Sequence, residues 1–205
     1  MTDSWNTIAD WYAERVRSGS ALHDFARDHL LGCLPEDLGG QHIVDLGCGE
    51  GILTRALAAR GASVLGIDPA PRMIDNAWAA EDVTPTGARY AVDDGCVLAT
   101  VDSDSVDWVT AGLSMNNVPD LAATLSAVDR VLVRGGSLVF SVPHPCFEAP
   151  HATWIEGGDG GARRVVGDYL AEGFWRSSNP EGPVGLGIST ECCPPMSMAW
   201  SDTGF

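Results

Sequence analysis

Apolar positions along this chain follow two regimes. Trp5, Ile8, Ala9 and Tyr12 stand at i, i+3, i+4 and i+7, the spacing of one helix face, with Asp3 or Ser4 placed to cap it. Leu22, Phe25, Ala26 and Leu30 repeat that spacing and predict a second helix that ends near Pro35. From residue 42 onward, short apolar runs of strand length alternate with helical segments. Strands are predicted over 42–46, 63–67, 89–92, 106–112 and 137–142, and helices over 52–60, 72–80 and 121–133. Gly135-Gly136 reads as the turn before the last strand.

Strands and helices alternating at these lengths imply βαβ units, hence an α/β fold with a doubly wound, mostly parallel sheet covered on both faces. Such sheets bind ligands beyond the carboxyl ends of their strands, at the point where strand order reverses. The pattern divides the chain into an N-terminal helical lid over 1–36, a core over 37–148 and an irregular Gly/Pro-rich segment over 149–205.

Composition narrows the chemistry. The 205 residues carry 28 Asp+Glu against 12 Lys+Arg, a net charge of −16, and every basic residue is Arg. A chain this anionic repels phosphate backbones, so no nucleic-acid partner is expected. Without Lys there is no Walker-type phosphate loop, no Schiff-base chemistry and no Lys general base. The six Cys form no C-x-x-C pair, so neither a zinc site nor a disulfide framework is expected. No apolar run reaches membrane-spanning length and the N-terminus lacks a signal-peptide pattern, so a cytoplasmic location is the expectation.

The strongest local signal is Val44-Asp45-Leu46-Gly47-Cys48-Gly49-Glu50-Gly51, after a strand and opening a helix. Glycines there let the backbone turn tightly and approach a ligand. A dinucleotide fingerprint needs G-x-G-x-x-G/A, and Ile52 occupies the position of its last small residue. Asp45 at the strand tip opposes a pyrophosphate and suits a cationic group. The next strand ends Gly66-Ile67-Asp68-Pro69, where an acidic side chain can accept both hydroxyls of a ribose, and Asp93-Asp94 follow the third strand. Carboxylates after three successive strands fit a ligand with an ammonium, a ribose and an adenine amine, and no phosphate.

With these motifs in order, the chain from Trp5 to Phe147 resembles the class I S-adenosylmethionine-dependent methyltransferases, in particular the small-molecule group that includes quinone-methylating enzymes. Val106-Asp107, Pro119-Asp120 and Val131-Leu132-Val133-Arg134-Gly135-Gly136 add to the resemblance. It implies S-adenosylmethionine as cofactor, bound by Asp45, Gly47, Cys48, Gly49, Gly51, Asp68, Pro69, Met73, Asp93 and Asp94. In it the glycines lie under the methionine part, Asp45 orients the amino group, Asp68 clamps the ribose, Met73 covers adenine and Asp94 meets its amine. Asp93 stands where the family usually has Gly, which leaves open whether it or Asp94 acts. The implied partner is a small-molecule methyl acceptor reacting through O, N or C. No metal is implied.

His144, in Val142-Pro143-His144-Pro145-Cys146-Phe147, is the candidate general base, and a backbone-bonded loop histidine is the competing reading. Asn116 and Asn117 could line the same cleft, and Trp5, Trp11 and Tyr12 would form a lid if the first helix folds over it. From about Gly185 neither strand nor helix periodicity is visible. The resembling family closes its sheet there with an antiparallel hairpin, which this chain is expected to lack. Gly187–Gly204 reread one base out of frame yields H-I-H-R-M-L-S-T-Y-V-N-G-L-V-R-H-R-F, similar to the family's missing segment, so the tail is expected to be out of frame. Two other readings stand beside methyl transfer: a catalytically impaired cofactor-binding module, and a nucleotide-binding dehydrogenase, which the misplaced third glycine disfavours.

Overall fold

A computed structural model describes residues 2–144, 153–158, 160–167, 174–176 and 189–191. Two helices lead, α1 (Thr2–Arg17) and α2 (Ala21–Gly32). They are followed by β1 (His42–Leu46), α3 (Ile52–Ala59), β2 (Ser63–Asp68), α4 (Pro71–Val83), β3 (Arg89–Val92), β4 (Val106–Gly112), α5 (Leu121–Val131) and β5 (Leu132–Ser141). All of these lie in one compact unit, Met1–Ser141. The strands form a parallel sheet in the order β3-β2-β1-β4-β5, so direction of winding reverses between β1 and β4. Loops leaving the carboxyl ends of those two central strands therefore diverge, and a crevice opens between them.

Each element has a local cause. β1 reads Ile43-Val44-Asp45-Leu46 and is buried along nearly its whole length, as a central parallel strand must be. α4 starts with Pro71, whose fixed φ suits the first helical turn. Asp120 caps α5, its carboxylate accepting from the N–H of Ala123 at 2.9 Å. Asp107, the second residue of β4, accepts from the N–H of His42 at 2.8 Å and ties β4 to the start of β1. The core under the sheet gathers Leu30, Leu34 and Leu38 with Ile43, Leu57, Val64 and Ile74.

Three expectations are revised. Helix α1 begins at Thr2, so Asp3 and Ser4 lie inside it and neither caps it. The face of α2 is set by Ala26 and Leu30, which are buried, whereas Leu22 and Phe25 remain exposed because the first turns of α2 carry them away from that core. Gly135-Gly136 is not a turn: β5 runs from Leu132 through Ser141, and its pairing with β4 slips between Val106↔Leu132 and Trp108↔Ser137. The surplus residues form a bulge, with Gly135 at φ +85. A Cβ on Gly136 would come within 3.0 Å of the carbonyl oxygens of Asp107 and Val133, so only glycine fits there.

The second unit covers Val142–Phe205. The segment expected to be irregular contains two antiparallel pairs, β6 (Thr153–Glu156) with β7 (Ala162–Val165) and β8 (Phe174–Arg176) with β9 (Ser189–Glu191). Neither joins the five-stranded sheet, so among the described residues β5 pairs only with β4. Apart from Ser189–Glu191, the tail from 185 onward, including the reread run, lies outside the described residues.

Candidate cofactor cleft

The crevice at the β1/β4 switch point holds an open cleft, where sheets of this kind bind their ligands. Its floor is the tip of β1 and the turn after it, Leu46, Gly47 and Gly49. Gly47, Gly49 and Gly51 all have positive φ (+68, +55 and +85), a backbone path that L side chains rarely follow. Any side chain on Gly47 would also collide with the Cβ of Ser114, whose hydroxyl donates to the carbonyl of Leu46 at 2.6 Å. The glycine thus lets the β1 and β4 loops approach closely enough to form one floor.

One wall comes from β2 and α4, with Ile67, Asp68, Pro69 and Met73. Asp68 is 9% exposed, and its carboxylate accepts from the N–H groups of Gly49 at 3.1 Å and Ala70 at 2.9 Å. Burial raises its pKa to about 6, partly offset by those two backbone donors. Beyond β3 lie Asp93, Asp94 and Gly95. The doublet divides its work. Asp93 accepts from the N–H groups of Asp94, Ala99 and Thr100 and from the Thr100 hydroxyl, and so holds its own loop. Asp94 is exposed on the cleft, with one oxygen on the N–H of Cys96.

Opposite, the β4 loop supplies Leu113, Ser114, Asn117, Val118 and Pro119. Leu113 has φ +55, a strained state for a non-glycine residue, and its N–H donates to the carbonyl of Ser141 at 3.0 Å. Sequence patterning gave no signal for Leu113 or Ser114 beyond their place after a strand. Of the three aromatic lid candidates, Trp5 and Tyr12 line the cleft and Trp11 does not. α1 is tied to α4 by Arg72, whose side chain pairs with Asp10 and whose N–H donates to Asn6.

Three residues expected at the ligand do not line the cleft. Asp45 is 1% exposed, and its two oxygens accept from Thr54 Oγ1 at 2.6 Å and Thr110 Oγ1 at 3.0 Å. It pairs in the sheet with Gly66 and Thr110, where hydroxyls from α3 and β4 bond both of its oxygens. Cys48 is buried beneath the loop, its thiol pKa pushed up by burial and by Asp68 and Asp45. Gly51 serves packing: a Cβ there would meet Tyr90 Oη at 2.6 Å. His144 is exposed and lies in the second unit, three residues past the end of β5.

Among the described residues no Arg or His side chain lines the cleft, and the titratable groups there are Asp68, Asp93, Asp94 and Tyr12. Carboxylates, backbone amides and aromatic rings around a glycine cradle suit a ligand bearing a sulfonium, an ammonium, ribose hydroxyls and an adenine amine. They do not suit a pyrophosphate, which counts against the dehydrogenase reading. The residues present therefore fit S-adenosylmethionine.

Comparison with known proteins agrees. A family model described as a methyltransferase domain matches residues 44–140. The ubiquinone biosynthesis O-methyltransferase of Psychrobacter arcticus is 33% identical over 134 residues, 64% of this chain and 50% of that protein. The chain spans about half the length of the curated relatives it matches. Among solved structures, a S-adenosylmethionine dependent methyltransferase from Mesorhizobium loti is 30% identical, covering 90% of this chain and 80% of that one with a TM-score of 0.71. A phosphoethanolamine N-methyltransferase of Haemonchus contortus in complex with S-adenosyl-L-methionine is 25% identical over 58% of this chain and 28% of that one, TM-score 0.53. With a glycine cradle at the switch point, an acid-lined cleft and a relative matched over four-fifths of its length, the chain belongs to the S-adenosylmethionine-dependent methyltransferases, on the class I Rossmann-like fold.

Proposed function

We propose that this chain transfers a methyl group from S-adenosylmethionine to an O, N or C nucleophile of a small molecule. The observation that carries this reading is the cleft's polar chemistry: acids at the tips of β2 and β3, a glycine floor and, among the described residues, no basic side chain. Gly47 and Gly49 would lie under the methionine part, Asp68 would accept the ribose hydroxyls, and Asp94 would meet the adenine amine. Met73, 2% exposed and beside Asp68, would back the adenine. Asp93 and Asp45 act at one remove, by holding the loop and the strand tip. When bound, the cofactor supplies a methyl group already activated by its sulfonium, so the protein's share is placement of the acceptor and exclusion of water.

An oxygen acceptor is the first to try, because the curated relatives are O-methyltransferases. His144 would take the acceptor's proton, on the strength of its position just past the fifth strand. The competing reading, a cofactor-binding module with impaired catalysis, draws support from β5, which ends the sheet without a further strand among the described residues.

Isothermal titration with S-adenosylmethionine and S-adenosylhomocysteine tests the reading, followed by a panel of hydroxyl and amine acceptors. Binding with turnover supports methyl transfer, and binding without turnover on any acceptor favours the impaired module. Absence of binding at millimolar concentration by folded protein overturns both. His144→Ala should reduce turnover and leave cofactor affinity unchanged.

A further inference from the structure

The ligand that fits this cleft carries a permanent positive charge, and the carboxylate expected to face its cationic end does not. Asp45 is sealed beneath the floor with both oxygens taken by Thr54 and Thr110. Asp68 and Asp94 stand at the tips of β2 and β3, and Asp68 already accepts from the N–H groups of Gly49 and Ala70. Above the glycine loop the structure puts aromatic surface instead. Trp5 and Tyr12, one face of α1, both line the cleft, with ring centroids 5.6 Å apart and planes at 83°. Tyr12 Cε1 lies 3.5 Å from where a Cβ on Gly49 would stand, so its ring rests on the floor itself.

The Tyr12 ring is held in place. Its hydroxyl bonds to His23 Nε2 at 2.9 Å, and His23 Nδ1 bonds to Ser20 Oγ at 2.7 Å, so α2 anchors the ring that α1 presents. The imidazole also meets the tyrosine edge-on, with centroids 5.3 Å apart. Burial, with Asp68 and Glu50 nearby, pushes the phenol pKa up and keeps the ring neutral, while burial lowers the pKa of His23. A neutral ring fixed in orientation offers the negative face of its quadrupole to a cation.

We infer that Trp5 and Tyr12, with Tyr12 clamped by His23 and Ser20, form the subsite for the cofactor's positive charge and favour the sulfonium form over its neutral demethylated product. This rests on the methyltransferase reading and adds a discriminating function to the lid. It gives the chain a way to release product: transfer of the methyl group removes the charge that the rings hold.

The test compares three ligands by isothermal titration: S-adenosylmethionine, an analogue with an amine in place of the sulfonium, and neutral S-adenosylhomocysteine. Tyr12→Leu should weaken the two cationic ligands by about 5- to 30-fold, the range of a desolvated cation–π contact. Binding of the neutral product should stay within twofold, which also shows that the variant is folded. Tyr12→Phe and His23→Ala leave a ring at the site but cut its tether, and should lose an intermediate part of the discrimination. Equal weakening of all three ligands by Tyr12→Leu would mean packing alone and would overturn the subsite while leaving the methyltransferase reading intact. Loss of discrimination in Tyr12→Phe as large as in Tyr12→Leu would also overturn it, by assigning the effect to the hydroxyl. Failure of the unaltered protein to bind any of the three would overturn the underlying reading.

Discussion

The carboxylate of Asp68, at the tip of β2, accepts a hydrogen bond from the N–H of Gly49 in the loop after β1, at 3.1 Å. One residue thus fixes the position of the glycine floor and presents an acceptor on the cleft wall. The two tasks are linked, because the ionised carboxylate performs both better.

This predicts a pH dependence of cofactor binding. The Asp68 pKa is raised to about 6, chiefly by burial. As pH falls through that value the carboxylate is protonated and loses acceptor capacity toward ribose hydroxyls. Affinity for S-adenosylhomocysteine should fall from pH 7 to pH 5 by up to about tenfold per unit below 6. Asp68→Asn should bind weakly at both pH values with a flattened profile, and titration at the two pH values checks it.

Asp45 should make the fold more stable in mild acid. Its pKa is also raised to about 6, with burial the largest cause and the Thr54 and Thr110 hydroxyls opposing. A carboxyl whose folded pKa exceeds its unfolded value of about 3.9 binds more protons folded than unfolded between those pH values, so stability declines as pH rises across that window. The full shift corresponds to roughly 3 kcal/mol. Asp45→Asn should narrow the difference in Tm between pH 5 and pH 7.5, measured without ligand. An unchanged difference would mean that Asp45 ionises freely in the fold.

Arg55 is the partner of a nearly buried acid. Glu50 has a side chain 2% exposed, and Arg55 meets its two oxygens at 3.2 and 3.1 Å and its carbonyl oxygen at 2.6 Å. Removing one member of such a pair strands a buried charge, at a cost of about 3–5 kcal/mol. Arg55→Met should destabilise by that order in urea unfolding. The double variant Glu50→Gln with Arg55→Met should recover much of the loss; simple additivity would contradict the pairing.

Glycine positions should separate ligand roles from packing roles. A Cβ at Gly66 would lie 2.8 Å from Tyr90 Cδ1, 2.9 Å from Thr54 Oγ1 and 3.0 Å from Cys48 Sγ. Gly66→Ala should therefore cost about 1–3 kcal/mol of stability, the usual range for overpacking. Because Gly66 does not line the cleft, product affinity of the folded fraction should change little, as thermal melts and titration together would reveal.

How much was legible in the sequence follows from distance along the chain. β1, β3 and β4 match their predicted bounds to the residue; for the inner strands β1 and β4 the reason is that a buried parallel strand is written as a short contiguous apolar block. β5 was legible only in its second half. Its glycines carry the statistics of a turn, and only pairing with β4 reveals them as a bulge. The Asp93-Asp94 doublet cannot be resolved from its own residues, since the donor groups that occupy Asp93 come from Ala99 and Thr100 across a folded loop. The short strands past residue 149 leave no trace in the apolar pattern, because three or four residues offer too few positions for a period to show.

The sequence by itself determined the α/β order, the glycine turn after the first strand and the sequence of acids at the strand tips, all short-range properties of contiguous residues. It also placed Trp5 and Tyr12 on one helix face. Only the tertiary structure decided which of those groups line the cleft. Thr54 and Thr110, from α3 and β4, converge on Asp45 and withdraw it from the cleft, while His23 and Ser20 of the α2 region fix the Tyr12 ring over Gly49. Such outcomes depend on hydrogen-bond partners from other elements, and a buried polar group is claimed by whichever partner the fold brings nearest.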